Sequence, residues 1–258
     1  VRKNLSFAFP EDEAMRARIF KEAYRHLASL SMEVTLLFGP MRRFVQSSSE
    51  LRGAEHWHAA KKEGRGILFL SSHVGNWEVM AATGAIHGGF DLMLITKRLK
   101  PAWLHEAIER GRTLCGVAAT YEPKTFRDVL RQLKQNGTVG LVLDQFVGPP
   151  VGVRVPVFGI PVGTSMVAAT LVRRTGAVIL PVVNYRLPDG RYRVEIQAPL
   201  TWVERPDLNV ELAENTALYA RHIEGDISAH PGQWLWTHRR FKGNLEPLKP
   251  NEWLEGRK

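Results

Sequence analysis

The segment Ser71–Glu78, SSHVGNWE, places a histidine, His73, five residues before an acid, Glu78. A neutral imidazole can take a proton from a hydroxyl, and its unperturbed pKa near 6.5 suits a general base. On one regular helix, a five-residue separation sets two side chains about 140° apart. His73 and Glu78 therefore meet only if His73 lies in a turn and Glu78 in the first turns of the helix that follows. Gly75 supplies the freedom such a turn needs. A carboxylate on the second ring nitrogen would fix the tautomer and stabilise the imidazolium. Amides at the helix start could stabilise an oxyanion. The spacing alone fits equally a loop histidine with a chance acid nearby.

Other residues compete for a part in this chemistry. Asp144 and Gln145 close an apolar run, GTVGLVLDQ, and a carboxylate there either lines the same crevice or caps the next turn or pairs with an arginine. The stretch FVGPPVGVRVPVFGIPVG is rich in glycine and proline but lacks the lysine and serine of a phosphate-binding loop, with Arg154 its one charge. Gly163, Thr164 and Ser165 are expected to open the next helix, as an anion site or as ordinary capping. Near the end, PGQWLWTHRRF gathers Trp234, Trp236, His238, Arg239 and Arg240. These arginines suit phosphates of a lipid or carrier, and His238 is the alternative base. Cys115, the single cysteine, reads as a small buried apolar residue and excludes an intrachain disulfide framework. The chain has neither a His-Glu-x-x-His metal pattern nor a Gly-x-Ser-x-Gly elbow.

The elements around these residues alternate. Apolar runs short enough for buried strands occur at 67–73, 90–96, 137–145, 177–187 and 191–200. Helical patterns occur at 75–88, 101–111, 124–135, 162–176 and 209–232. The N-terminal portion, 1–62, reads as helical. Its first helix starts at Pro10 with Glu11, Asp12 and Glu13 and stops at Gly39-Pro40, and a second helix is expected over 49–62. The expectation is a single α/β domain over 1–258. A mixed, largely parallel central sheet flanked by helices occupies 63–258, and the N-terminal helices pack on it. His73 then falls at the C-terminal edge of a buried strand, where open α/β sheets place their sites.

The 258 residues are 44% hydrophobic and 24% charged, an ordinary globular balance. The formal net charge of +9 calls for an anionic partner. The basic residues are scattered and form no nucleic-acid reader motif, so a nucleic-acid partner is not expected. No run of about 18 apolar residues reads as a spanning helix. The apolar second half of the first helix, Met32 to Phe38, suits a core or a surface facing lipid.

Taken together, these segments resemble the lipid A biosynthesis acyltransferases, within the wider glycerolipid acyltransferase superfamily. The resemblance runs in order through VRKNLSFAFPE, SSHVGNWE, LDQ to VFG, GAVILPVVNYR and QWLWTHRRFK. It implies an O-acyltransferase in which His73 is the base and Glu78 orients and charge-balances it. Gly75, Asn76, Asp144, Gln145, Arg154, Arg174 and Arg239 are implied on the substrate side. It implies a fatty acyl thioester on acyl carrier protein or coenzyme A as donor, with no cofactor and no metal. The implied acceptor is a hydroxyl of a phosphorylated glycolipid, a lipid A precursor bearing Kdo sugars. Relatives that acylate phosphatidylinositol mannosides share the histidine motif, and a thioesterase in which His73 activates water is the further alternative. The resemblance places the enzyme at the cytoplasmic face of the bacterial inner membrane, peripheral on its anionic surface, with the family's N-terminal membrane helix missing from the chain. Met32, Phe38, Phe158 and Ile160 are candidates for a chain-length pocket.

Overall fold

A computed structural model describes residues 1–243, 245 and 246, so the end of the domain expected over 1–258 lies outside the described residues. Nine helices and nine strands are described. In chain order they are α1 (Arg2–Ala8), α2 (Glu13–Glu33), α3 (Met41–Ser48), β1 (Ser49–Arg52), α4 (Ala54–Lys62), β2 (Ile67–Ser71), α5 (Trp77–His87), β3 (Leu92–Ile95) and α6 (Ala102–Leu114). There follow β4 (Ala118–Thr120), α7 (Thr125–Lys134), β5 (Thr138–Val142), β6 (Gly152–Val157), β7 (Ile160–Ser165), α8 (Val167–Thr175), β8 (Val178–Arg186), β9 (Tyr192–Ile196) and α9 (Leu208–Ala229). A 3₁₀ turn, Val34–Phe38, joins α2 to α3.

Seven strands form one sheet in the order β1-β9-β8-β2-β5-β3-β4. Only the β8–β9 pair is antiparallel. The sheet is thus mixed and largely parallel, as expected. Its centre is β2, ILFLS, buried at all five positions between β5 and β8. An unbroken apolar run is what a parallel strand covered on both faces requires. Side chains alternate between faces. Leu68 and Leu70 enter a core shared with α2, α7, α8 and α9, while Ile67 and Phe69 enter one shared with α3, α4, α5 and α6.

β4, a three-residue edge strand parallel to β3, lies outside every expected run, and two further stretches depart from the sequence expectation. Ser49–Arg52 is an edge strand parallel to β9, not the start of a helix, and the helix begins only at Ala54. Gly53 between them has φ +73, and a Cβ there would lie 1.9 Å from the Ile196 carbonyl oxygen, so the chain turns where only glycine fits. Residues 152–165 form an antiparallel hairpin, not an irregular loop, and Gly163, Thr164 and Ser165 belong to β7 instead of opening α8. Phe158 and Gly159 both have positive φ in the two-residue turn, the conformation that matches the twist of a tight hairpin.

Candidate active site

β2 and β5 are neighbours in parallel register, with Ser71 opposite Val142. The ladder continues one step through Leu143 N–H to the Ser71 carbonyl, 3.0 Å. His73 and Asp144 each stand two residues beyond this pair, so the register itself sets them side by side. His73 Nδ1 lies 2.8 Å from Asp144 Oδ1, and the His73 backbone N–H donates to Asp144 Oδ2 at 2.8 Å. The indole N–H of Trp234 donates to the same Oδ2 at 2.7 Å.

Both groups are removed from water. Burial alone would push the Asp144 carboxyl up. The His73 charge, the two hydrogen bonds from His73 and the one from Trp234 outweigh it and hold the carboxyl at about 2. Burial likewise pushes the His73 imidazole down, but the Asp144 charge and hydrogen bond prevail, and its pKa is raised. An ionised Asp144 selects the tautomer with the proton on Nδ1 and leaves the Nε2 lone pair as the base.

The turn that carries His73 into α5 is over-determined. Gly75 has φ +64, and a Cβ there would meet the Asn184 carbonyl oxygen at 2.3 Å. Its carbonyl accepts from His26 Nε2 at 3.1 Å, and its N–H donates to the Gln233 carbonyl at 3.0 Å. Asn76 caps α5, its Oδ1 accepting from Glu78 N at 3.1 Å and Val79 N at 3.2 Å. Two of the amides expected to be open at the helix start are therefore taken up by Asn76. Its Nδ2 donates to Glu33 Oε2 at 2.8 Å, which ties α2 to the turn. The C-terminal segment closes the other side. Leu235 N–H donates to the His73 carbonyl at 3.1 Å, and Trp234 bridges Val74.

Glu78 does not touch the ring in the way expected. Its carboxylate accepts two hydrogen bonds from Arg112, Nε at 2.9 Å and Nη2 at 2.6 Å, and Arg112 also bonds Glu109. Burial acts to lower the Arg112 pKa, but the two carboxylates prevail and raise it. The carboxylate on the His73 ring is Asp144. Sequence reasoning missed Arg112 altogether, and it noted Trp234 only as part of an aromatic and basic cluster, not as a donor to Asp144. The signal for Asp144 was present in the two apolar strands, each ending two residues before a polar group.

The remaining expected residues are scattered. Gln145 follows Asp144, and its carbonyl accepts from Arg240 at 2.8 Å. Arg240 is buried and also bonds the Gly163 carbonyl and Thr164 Oγ1, whereas Arg239 is exposed. Arg154 lies in β6 and donates to the Glu246 carbonyl. Arg174 sits over the Phe126 ring at the end of α8, by the sheet edge opposite His73. His238 has a buried Nδ1 with no hydrogen-bond partner among the described residues, and burial lowers its pKa.

An apolar cavity opens beside His73 and runs under α5 along the sheet. His73, Ser71, Trp77 and Arg112 line its polar end. Phe69, Leu94 and Gly140 share one level in the strand register below, and Leu92, Phe90 and Gly84 lie deeper. From Ser71 to the level of Leu92 is four residues of strand, roughly 13 Å at about 3.3 Å per residue. Among the described residues, no group of three or more His, Cys, Asp and Glu side chains is arranged to hold a metal ion.

The model of the family described as bacterial lipid A biosynthesis acyltransferase matches residues 1–243. The chain belongs to this family. It is 29% identical to the lipid A biosynthesis lauroyltransferase of Escherichia coli (strain K12) over 253 residues, 95% of this chain and 79% of that protein. It is 27% identical to the lipid A biosynthesis palmitoleoyltransferase of the same organism over 245 residues, 93% of this chain and 77% of that one. Similarity extends to the phosphatidylinositol mannoside acyltransferase of Mycobacterium tuberculosis (strain CDC 1551 / Oshkosh), 28% over 200 residues, 75% of this chain and 60% of that protein. As a lipid A-type acyltransferase the chain is an O-acyltransferase with an acyl donor and a lipid acceptor. Its family associates it with membranes. No helix among the described residues is long and apolar enough to cross one.

Proposed function

We propose that this enzyme moves a fatty acyl chain from a thioester, on acyl carrier protein or coenzyme A, to a hydroxyl of a phosphorylated lipid A precursor. The observation that carries this reading is the His73 ring. It is held through Nδ1 by a buried carboxylate and stands at the mouth of an apolar cavity. The acyl chain lies in the cavity and the thioester carbonyl sits beside the ring. His73 Nε2 takes the acceptor's O–H proton as that oxygen bonds to the carbonyl carbon. The tetrahedral intermediate collapses, the C–S bond breaks, and the imidazolium returns the proton to the departing sulfur. Asp144 holds the ring's tautomer and balances its charge. Glu78 serves by fixing the Arg112 guanidinium at the cavity wall, a change from the ring-orienting role expected of it. The reaction is placed at the cytoplasmic face of the bacterial inner membrane, where thioester donors and lipid acceptors meet.

The test is incubation of the protein with acyl carrier protein bearing C10 to C16 chains and Kdo2-lipid IVA in detergent, beside His73→Ala. Mass spectrometry should show the acceptor gain one acyl chain with the wild type only. No gain on this acceptor, with transfer to a mannosylated phospholipid, would reassign the acceptor, a substitution that the mycobacterial similarity motivates. Release of free fatty acid alone would make the protein a thioesterase.

A further inference from the structure

Among the described residues, six of the ten exposed large apolar side chains lie on or beside two adjoining elements, the 3₁₀ turn Val34–Phe38 and helix α6: Met32, Val34, Phe38, Leu99, Trp103 and Leu114. Met32 is 74% and Trp103 64% exposed. The two elements are pressed together, since a Cβ on Gly111 would come within 2.2 Å of the Leu37 carbonyl oxygen. On α6, Trp103, Ala107, Arg110 and Leu114 recur at helical spacing and form an outward stripe. By the helical repeat, Ala107 and Leu114 stand about 40–60° round the axis from Gly111. The stripe therefore borders the 3₁₀ turn and continues its apolar surface. Arg42 Nη1 reaches the Leu114 carbonyl at 3.4 Å and closes one edge. Leu99 extends the surface past the start of α6.

We propose that this face is the one by which the enzyme lies on an anionic bilayer. The proposal rests on the membrane-surface reading above and names the surface. Charge selects the occupant. Lys97, Arg98, Lys100, Arg110, Arg42 and Arg43 ring the apolar residues, all exposed, against one exposed carboxylate on α6, Glu106. An apolar centre with tryptophan and a cationic rim fits the headgroup boundary of anionic lipid. Position agrees. Glu33, which bonds Asn76 in the His73 turn, immediately precedes Val34, and Arg112 of α6 lines the cavity. A lipid acceptor in the bilayer beneath this face meets the cavity mouth without leaving the membrane.

Co-sedimentation with vesicles tests this, using phosphatidylglycerol–phosphatidylethanolamine against phosphatidylcholine. The wild type should bind the anionic vesicles, and more weakly as salt rises. Phe38→Ser with Trp103→Ser should weaken binding about ten- to a hundredfold, since only the exposed part of each side chain, 52% and 64%, is there for the bilayer to bury. Lys97→Glu with Arg98→Glu should remove the preference for anionic vesicles. Leu208→Ser, an exposed apolar change on α9, should bind as wild type, and all variants should keep the wild-type Tm. Wild-type binding by the Phe38 and Trp103 variant overturns the proposal. So does a variant that keeps vesicle binding but loses acyl carrier protein or dissociates from a dimer. Phe38, expected from the sequence to line a chain-length pocket, is exposed and does not line the cavity beside His73, so transfer to acceptor in detergent micelles, measured on the same variants, should be unchanged. Failure of the wild type in that assay would strike the proposed reaction, and vesicle binding would still decide the surface.

Discussion

Trp234 donates its indole N–H to Asp144 across ninety residues of sequence, 2.7 Å from nitrogen to oxygen, on the same oxygen that accepts the His73 backbone N–H. The carboxylate thus receives three hydrogen bonds, two on Oδ2 and one on Oδ1, and is fixed in position before it acts on the ring. Hydrogen bonds to a buried charge are the strong ones, and each of them also argues for the charged form.

Trp234→Phe keeps the ring's bulk beside Trp236 and removes one donor from Asp144. A hydrogen bond to a charged group contributes about 1.5–3 kcal/mol, and urea unfolding should show a loss of that size. Asp144 has a depressed folded pKa, so its stabilisation is present above the unfolded value of 3.8 and lost as pH falls toward about 2. With one donor fewer the folded pKa is depressed less, so that loss is smaller and ends at higher pH, while the variant, less stable throughout, should unfold at a higher pH. An acid-unfolding midpoint identical to the wild type's would show that the indole does not hold the carboxylate.

Asp144→Asn separates the orienting carboxylate from mere packing. The amide can present its N–H to Nδ1 and so select the wrong tautomer, which in a comparable histidine–carboxylate pair lowers kcat about ten-thousandfold. In the wild type, kcat/KM should rise with pH through an apparent pKa above 6.5, because the neutral ring is the base and Asp144 raises its pKa. In the variant this limb should move to lower pH as the rate falls. The His73 charge stabilises the fold below 6.5 and ceases to as pH rises through the raised value, so the wild type's stability advantage over Asp144→Asn should shrink across that same interval.

Glu78→Gln should act mainly on stability. It leaves Arg112, about nine-tenths buried, with Glu109 as its remaining carboxylate. Removing one partner of a buried pair costs about 3–5 kcal/mol. Glu78→Gln combined with Arg112→Met should recover part of that loss, and the pH limb assigned to His73 should stay in place in Glu78→Gln. A limb displaced as in Asp144→Asn would restore Glu78 as the ring's partner.

His73 and the alternation of strands and helices were legible because each is local: an apolar run, a turn glycine, a helix pattern. The place of Asp144 at a strand end by the same crevice was legible as one of several readings, but its pairing with His73 was not, because that is fixed by β-register between segments seventy residues apart. The five-residue spacing to Glu78 is local too, and the helix turns that carboxylate toward Arg112. The β6–β7 hairpin was hidden by its prolines and glycines, which read as loop although Val153, Val155 and Val157 alternate as a strand. Arg239 and Arg240 are adjacent and chemically identical. Only the tertiary hydrogen bonds to Gln145, Gly163 and Thr164 distinguish the buried one, Arg240.

Gly140 offers control over the acyl chain. It lies midway along the cavity on β5, opposite Phe69 and Leu94 in the register. A Cβ there would approach Leu94 Cδ2 to 2.8 Å, the far end of a flexible side chain, so a larger residue is accommodated at the expense of the cavity. Gly140→Val should obstruct the path below Phe69 and leave the space beside His73 open. Each methylene denied burial costs about 0.8 kcal/mol, or about fourfold in rate. Relative kcat/KM for single-length thioesters should therefore fall progressively with chain length, the shortest donor being least affected. An equal fall at every length would mean that the substitution disturbs the sheet under His73, and the acyl chain would have to be sought outside this cavity.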